Sequence, residues 1–428
     1  MRRARFGVGV VAVALAAAAF AIGFRFALTH LLRGLAGAND VVAAMHAAPI
    51  WARVAFPALG GLLAGAIGRL VARTPQGGGV GNVMEAVVLG RVHLSFRVTL
   101  WKSLASWLAI ASGGSIGREG PLIQFGGAAG KLIGDRLGLA NESTRLLIAA
   151  GTAAGFAAAY NTPFAAVLFV LEVVTGVVVL DAVLPALVAT VLATALTRAV
   201  AGEGPIYGQR AFQSGPAELL AFAGLGLVAA LASQGFMRLL SLGEEAFRNS
   251  RLPLPWRPAL GGVLAGLVIA FIPEAAGNGY EPLNALLDAR LTLGFVGLLL
   301  VGKCLATTCS VSSGSPGGVF TPTLLLGGAV GFLYAGALSS LGLGIGSAGG
   351  YALVGMAAAT AATTHAPLMA AVMVFELSGD YAIALPLVLA TALATLLSRR
   401  LRRDSIYGAE LRARGVGWEV TLEGRVLD

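Results

Sequence analysis

Residues 117–121 read Gly-Arg-Glu-Gly-Pro and place a carboxylate, Glu119, deep inside apolar sequence. A charged side chain at bilayer depth costs roughly 2.5–3.5 kcal/mol on insertion scales, so such a residue marks a functional site. The glycines and the proline break helices, and broken backbone at membrane depth is tolerated only where it is buried in protein or lines a cavity. The stretch therefore predicts a titratable acid beside free backbone N–H groups, which suits an anion path gated by protonation.

The composition of the chain is that of a membrane protein. Hydrophobic residues make up 57% of its 428 residues and charged residues only 12%, and its mean hydropathy is +0.82. A soluble domain carries about 25% charged residues. The 60 glycines indicate closely packed helices, because small residues let helix backbones approach one another in lipid. We therefore predict an all-α polytopic membrane protein.

The net charge of +9 reflects topology rather than binding to nucleic acid. Basic residues cluster at the two ends of the apolar sequence, namely Arg2, Arg3, Arg5, Arg399, Arg400, Arg402 and Arg403. Under the positive-inside rule both termini are expected in the cytoplasm. Lys102 and Lys303 stand within apolar runs, and we expect their ammonium groups to snorkel toward water.

The apolar runs have irregular lengths. The first, 6–28, is longer than the apolar part of a signal peptide and is expected to be a retained span. The run 98–112 is shorter than the roughly 20 residues that a spanning helix needs, and 163–199 is long enough for two elements. These lengths predict broken, tilted or re-entrant helices.

The chain contains an internal duplication. Residues 151–172 and 355–376 align at a constant offset of 204, which pairs Glu172 with Glu376 and Pro163 with Pro367. The polar stretch 202–216 is the expected junction, so we predict two membrane repeats, 1–210 and 211–428. Duplicated halves with interrupted helices are typical of transporters that bind their substrate at the repeat interface, and we expect the repeats to be inverted.

Three glycine-rich breaks, 77–81, 117–121 and 317–322, each precede sequence that can open a helix. A helix start offers free N–H donors and about half a positive charge, which together attract an anion. Several such starts aimed at one point would hold a dehydrated halide without trapping it, as conduction requires. The alternative is that the glycines only allow close helix packing.

From about residue 50 to 415 the chain resembles the CLC family of chloride channels and proton-coupled chloride transporters. Residues 117–121 match that family's GREGP motif, and residues 315–322, Ser-Pro-Gly-Gly-Val-Phe-Thr-Pro, match its GxFxP region. The resemblance implies that Glu119 is a gating, proton-accepting glutamate whose carboxylate occupies an anion site and swings away when protonated. It also implies an anion-binding set around the breaks, comprising Gly78, Gly79, Arg118, Glu119, Gly120, Val319, Phe320 and Tyr407.

Two departures from the family pattern leave questions open. The family's GSGIP motif reads Gly-Gly-Gly-Val-Gly at 77–81, so Gly78 lacks the usual serine hydroxyl and a preference for nitrate or another anion stays open. Val173 stands where proton-coupled members carry an inner proton-relay carboxylate. Glu172 is adjacent but lies about 100° away round a helix. Both channel-like conduction and proton-coupled exchange therefore remain possible.

The chain also contains residues that an enzyme could use. An intramembrane serine hydrolase would pair a serine of Ser312–Ser315 with His365 as base, but it gives Glu119 no role, so we expect no enzyme activity. Cys304 and Cys309 lack nearby histidines and predict no metal site, and no cofactor is indicated. The resemblance implies a homodimer in a prokaryotic plasma membrane. Only 408–428 follow Tyr407, so we expect no C-terminal regulatory domains.

Overall fold

A computed structural model describes the chain over residues 2–72, 79–88, 94–176, 179–202, 207, 212, 218–343, 346–413, 415–416, 418–421 and 424–427. Helices dominate this part of the chain. The helices of the first half are α1 Arg2–Ala36, α2 Val41–Ala47, α3 Ile50–Ile67, α4 Gly79–Val88, α5 Phe96–Ala111, α6 Glu119–Arg136, α7 Asn141–Tyr160, α8 Pro163–Leu168 and α9 Leu180–Ala201. Short π-helical segments, Gly68–Ala72 and Phe169–Thr175, continue α3 and α8.

The second half is also helical. Its helices are α10 Leu219–Asn249, α11 Trp256–Phe271, α12 Tyr280–Leu287, α13 Leu293–Ser312, α14 Phe320–Ser340, α15 Ala348–Thr364, α16 Pro367–Ser378, α17 Ala384–Leu401 and α18 Ile406–Ala413, with a 3-10 turn at Pro273–Ala275. Two strands, β1 Trp418–Thr421 and β2 Gly424–Leu427, then pair antiparallel. The all-α membrane fold is confirmed, and the small ribbon in the tail is an addition to it.

The described residues contain seven helical segments that are long and apolar enough to cross a bilayer. They are Arg3–Ala47, Ile50–Leu70, Leu180–Val200, Leu219–Asn249, Leu293–Ser312, Phe320–Ser340 and Ala384–Arg412. Other helices are far shorter, such as α8 with 6 residues and α4 with 10 residues. The run 163–199 holds α8, a π-helical segment and α9, so the predicted mixture of complete and broken helices is confirmed.

Duplicated glycines hold matching helix pairs together. The α6 helix packs against α7, and α14 packs against α15 in the same way. A Cβ atom at Gly126 would collide with the carbonyl oxygen of Gly151, and one at Gly327 would collide with that of Gly355. Helix backbones therefore touch directly at these points, as the small-residue composition predicts.

The two duplicated glutamates cap helices of opposite halves. The Glu172 carboxylate accepts hydrogen bonds from the N–H groups of Leu368 and Met369 in the first turn of α16, at 3.3 and 2.7 Å. The Glu376 carboxylate accepts from the second and third residues of α8, at 3.1 and 2.8 Å. A carboxylate suits a helix start because it satisfies free donors and the positive end of the helix dipole. These caps bind the two halves to each other.

Lys303 is buried rather than snorkelling, so that prediction is wrong. Its side chain on α13 is only 1% exposed, and its Nζ donates to the carbonyl oxygens of Ala275, Ala276 and Gly277 at 3.0, 3.5 and 2.7 Å. An ammonium group has three donors, and these carbonyls at the end of the 3-10 turn satisfy them inside the protein.

Candidate anion pathway

Two of the predicted glycine-rich breaks meet at the centre of the fold. Gly117 and Gly318, which precede α6 and α14, exchange both of their backbone hydrogen bonds, with N···O distances of 2.7 and 2.9 Å. They occupy matching positions in the two halves and pair antiparallel. The starts of α6 and α14 are therefore held side by side, so both helix dipoles present their positive ends to one small region.

The Glu119 carboxylate fills the place where an anion would bind. It is 1% exposed, and its Oε1 accepts hydrogen bonds from the N–H groups of Phe320 at 2.8 Å and Thr321 at 3.4 Å. Its Oε2 accepts a hydrogen bond from the Thr321 hydroxyl at 3.1 Å. Backbone donors at the first turn of a helix form a ready anion site, and here the protein's own carboxylate occupies it.

The glycines on either side leave no spare room around this carboxylate. A Cβ atom at Gly117 would collide with Oε2 of Glu119, and one at Gly318 would collide with Oε1. Their lack of a side chain is therefore what lets Glu119 lie against the start of α14. This close approach explains Gly117 and Gly318 better than helix packing alone does.

A cavity of about 150 Å³, called here the Tyr407 cavity, reaches Glu119 from one side. Predicted site residues lining it are Gly79, Glu119, Gly120, Val319 and Tyr407. The first residue of α4, Gly79, packs directly against the carbonyl oxygen of Gly120, so the third break also reaches this point. Gly78 lies outside the described residues.

Tyr407 lies at the start of α18 and is 6% exposed. Its ring meets that of Phe169 edge-on, with centroids 6.4 Å apart. The resemblance assigns its hydroxyl to the central anion, and its position in the lining of the same cavity as Glu119 is compatible with that role. A neutral hydroxyl would favour an anion without adding a countercharge.

Three charged side chains that sequence reasoning missed also line the Tyr407 cavity, namely Glu244, Arg402 and Glu410. They come from α10, from the residue after α17 and from α18. No motif in the sequence indicates that these three residues lie close together. An anion near this cavity would be attracted by the guanidinium and repelled by the two carboxylates. The two carboxylates are titratable groups in the lining of this cavity.

Arg118 belongs to a different cavity, although it is next to Glu119 in sequence. Its guanidinium lies over the Tyr280 ring, 4.9 Å from the centroid, and its buried Nε has no hydrogen-bond partner among the described residues. It lines a cavity of about 710 Å³, called here the Arg118 cavity, together with Arg25 and Arg198. Arg118 and Glu119 therefore line separate cavities.

The inner proton-relay position contains no acid. Val173 is 1% exposed within the π-helical segment after α8. Its neighbour Glu172 is engaged in capping α16, which gives that carboxylate a structural role. Glu244 on α10 and Glu410 on α18 thus place carboxylates at the Tyr407 cavity. The position that the resemblance assigns to the proton relay has the hydrocarbon side chain of Val173.

The predicted pair of His365 with a serine of 312–315 does not form. The Nε2 atom of His365 lies 3.3 Å from the Ser398 hydroxyl, which in turn donates to the Ala362 carbonyl. The hydroxyls of Ser312 and Ser313 donate to backbone carbonyls instead. Among the residues that the structure describes, no hydrogen bond joins His365 to the predicted serines, so the predicted nucleophile–base pair is missing.

The sequence did not single out two hydroxyls that lie near Glu119. Thr321 stands inside the second motif, between Phe320 and a proline, and Tyr160 directly precedes the Asn-Thr-Pro stretch of the duplication. The Tyr160 hydroxyl lies 2.9 Å from that of Thr321. The position of Thr321 beside Phe320 was the available signal, because side chains in the first turn of α14 surround the predicted anion site.

Comparisons with known proteins point to one family. The model of the voltage-gated chloride channel family matches residues 60–399. A ClcB-like chloride channel protein of Ralstonia nicotianae is 39% identical over 398 residues, covering 91% of this chain and 92% of that protein. The voltage-gated ClC-type chloride channel ClcB of Citrobacter koseri is 35% identical over 397 residues, covering 90% and 94%.

Solved structures show the same fold. A slow cyanobacterial Cl⁻/H⁺ antiporter has a TM-score of 0.85 at 24% identity, covering 96% of this chain and 98% of that chain. A CLC-type fluoride/proton antiporter has a TM-score of 0.79 at 22% identity, covering 95% and 97%. At these identities the likeness shows that the fold is shared, and it does not identify the transported ion.

Proposed function

Because the chain belongs to the voltage-gated chloride channel family, we propose that it moves chloride or a similar small anion across the membrane through a pathway gated by Glu119. The observation that carries this proposal is the Glu119 carboxylate bound to the first-turn N–H groups of α14. Because the carboxylate binds the N–H groups of Phe320 and Thr321, it competes directly with an anion for these donors.

Protonation of Glu119 would open the pathway. The ionised carboxylate accepts hydrogen bonds from backbone donors and interacts with the positive ends of two helices. A protonated carboxyl group loses that charge, and its own O–H needs an acceptor. Its attachment to α14 weakens, the side chain leaves, and a passing anion takes over the N–H groups of Phe320 and Thr321.

The remaining members of the anion-binding set would act along the same line. We assign to Gly79, Gly120 and Val319 the backbone lining of the path, and to Tyr407 a hydroxyl donor in the cavity next to Glu119. Arg118 would raise the local anion concentration from the Arg118 cavity, together with Arg25 and Arg198. Gly78 would leave the path without the hydroxyl that the family usually supplies.

Anion transport can be coupled to protons or independent of them. The hydrocarbon side chain of Val173 favours channel-like conduction, because a valine cannot pass on a proton. Proton-coupled exchange is the second candidate, favoured by Glu244 and Glu410 in the lining of the cavity that reaches Glu119. Chloride and proton fluxes measured together in liposomes separate the two, since only exchange moves protons at a fixed ratio to chloride.

The preferred anion can be chloride or nitrate. Gly78 provides no side-chain hydroxyl, so the path holds a dehydrated anion mainly by backbone donors, which discriminate weakly by ion size. Nitrate is therefore the alternative to chloride. Competition of nitrate with chloride in the flux assay measures the preference, and Gly78→Ser is the variant that should shift it toward chloride.

The assembly we propose is a homodimer of chains that each contain two repeats, 1–210 and 211–428. Large apolar side chains on α8, α9, α16 and α17 are exposed, and they are Phe164, Leu180, Leu184, Leu368 and Leu385. Phe164 and Leu368 hold matching positions of the duplication, so this face is built from both repeats. The mass of the purified protein in detergent, corrected for bound detergent, distinguishes a dimer from a monomer.

We place both termini in the cytoplasm of a prokaryotic cell, with the chain crossing the plasma membrane several times. The basic residues at the two ends support this orientation. The Tyr407 cavity, which Arg402 and α18 line, would then face the cytoplasm, and the Arg118 cavity would face outward. Labelling a cysteine added at either terminus with a membrane-impermeant thiol reagent tests the orientation.

A further inference from the structure

Given the gate proposed above, we infer that the hydroxyls of Thr321 and Tyr160 form a latch that holds ionised Glu119 in the anion site. By stabilising this closed state, the latch sets the pH at which the pathway opens. Thr321 would be a positioning residue for the gate, and Tyr160 would act through Thr321. The inference depends on Glu119 being the gate, so its test includes a separate check of that gate.

The latch is a continuous chain of buried hydrogen bonds. The Thr321 Oγ1 atom lies 3.1 Å from Oε2 of Glu119, and the Tyr160 hydroxyl lies 2.9 Å from the same Oγ1 atom. Thr321 is 0% exposed and Tyr160 is 1% exposed. Without water to compete, each of these hydrogen bonds has a larger effect than it would at the surface.

The ionisation state of Glu119 sets the direction of the chain. An ionised carboxylate only accepts hydrogen bonds, so the Thr321 hydroxyl must donate to it. That hydroxyl has a single proton, so Tyr160 must donate to Thr321. Donation to a charged acceptor is stronger than donation to a neutral one. The chain therefore stabilises the ionised, closed state more than the protonated, open one.

Packing holds both hydroxyls in place. The Tyr160 ring lies against those of Phe156 and Phe320, with centroids 4.9 and 5.5 Å apart. Thr321 sits in the first turn of α14, one residue after the N–H group that binds Glu119. The ring contacts fix the position of the Tyr160 oxygen, and the first turn of α14 fixes that of the Thr321 oxygen.

Other charged or titratable groups also act on Glu119, and they must stay constant in a test. Those that interact with it electrostatically, apart from Tyr160 itself, are Tyr207, Tyr280 on α12, Lys303 on α13 and Tyr407 on α18. Arg118 precedes it, and Glu244, Arg402 and Glu410 share its cavity. The substitutions Thr321→Val and Tyr160→Phe remove hydroxyls and change none of these charges near neutral pH.

The experiment is the pH profile of chloride efflux from liposomes for Thr321→Val, Thr321→Ser and Tyr160→Phe beside wild type. Loss of a hydrogen bond to the ionised carboxylate makes protonation easier, so the pathway should open at a higher pH. We expect Thr321→Val to raise the pH of half-maximal flux by about one unit. Thr321→Ser should restore the wild-type profile, because it keeps the hydroxyl.

The double variant tests whether Tyr160 acts through Thr321. Tyr160→Phe alone should shift the profile in the same direction but less, and it should add nothing to Thr321→Val. Independent, additive shifts would overturn the chain. So would a Thr321→Ser profile like that of Thr321→Val, because that result would point to packing rather than to the hydroxyl.

The Glu119→Gln background separates failure of the latch from failure of the gate. If the gate is as proposed, Glu119→Gln flux is independent of pH and Thr321→Val leaves it so. The latch alone would be overturned if Thr321→Val and Tyr160→Phe kept the wild-type pH profile while Glu119→Gln changed the flux. A wild-type flux without pH dependence, or one that Glu119→Gln leaves unchanged, would overturn both.

Discussion

Glu172 and Glu376 hold matching positions of an internal duplication, and each caps a helix of the opposite half. Glu172 binds the start of α16 and Glu376 binds the start of α8. The exchange is symmetric, with 2.7 and 2.8 Å for the shorter hydrogen bond in each cap. The two glutamates therefore act as a reciprocal clasp between the halves.

The clasp predicts matched losses of stability. Glu172→Ala and Glu376→Ala should each lower the free energy of unfolding by about 1 kcal/mol, because each leaves two first-turn donors without their carboxylate. Thermal unfolding in detergent measures the loss, and the exposed Glu245 on α10 supplies the control, Glu245→Ala. A proton relay at Glu172 would instead show as lost proton movement in Glu172→Gln with unchanged stability.

Lys303 predicts a second effect on stability. Lys303→Met keeps much of the side chain's length but leaves the carbonyls of residues 275–277 without their donor. We expect a loss of about 1–3 kcal/mol, measured by thermal unfolding. Lys131→Met is the control, since its ion pair with Asp135 is partly exposed and contributes at most about 1 kcal/mol. Equal behaviour of the two variants would contradict the buried role of Lys303.

The contact between Gly318 and Glu119 predicts a gate that cannot close. In Gly318→Ala the new methyl group occupies the space of the carboxylate, so the side chain must leave its site. Chloride flux should then lose most of its dependence on pH while the protein remains folded. Gly235→Ala on α10 is the control, because nothing lies within 4 Å of its added Cβ. A normal pH profile in Gly318→Ala would show that the carboxylate does not need this space.

Features encoded by local motifs were predictable from the sequence. Broken helices, the duplication and the importance of Glu119 followed from Gly, Pro and Glu in short patterns, and the structure brings Gly79, Glu119, Phe320 and Tyr407 to one region. Long-range contacts were not predictable. The carbonyl contacts of Lys303 and the Tyr160–Thr321 pair depend on how distant helices pack, and Lys303 contradicted the snorkelling expected from its apolar neighbours.

Paired chloride and proton flux from reconstituted liposomes, with wild type beside Glu119→Gln, tests the central claim most directly. The account predicts chloride efflux that rises as pH falls in wild type, and efflux independent of pH in Glu119→Gln. Proton uptake at a fixed ratio to chloride would assign exchange, and its absence would assign channel-like conduction. Anion flux in neither protein, or identical pH dependence in both, would contradict the role of Glu119 as the gate.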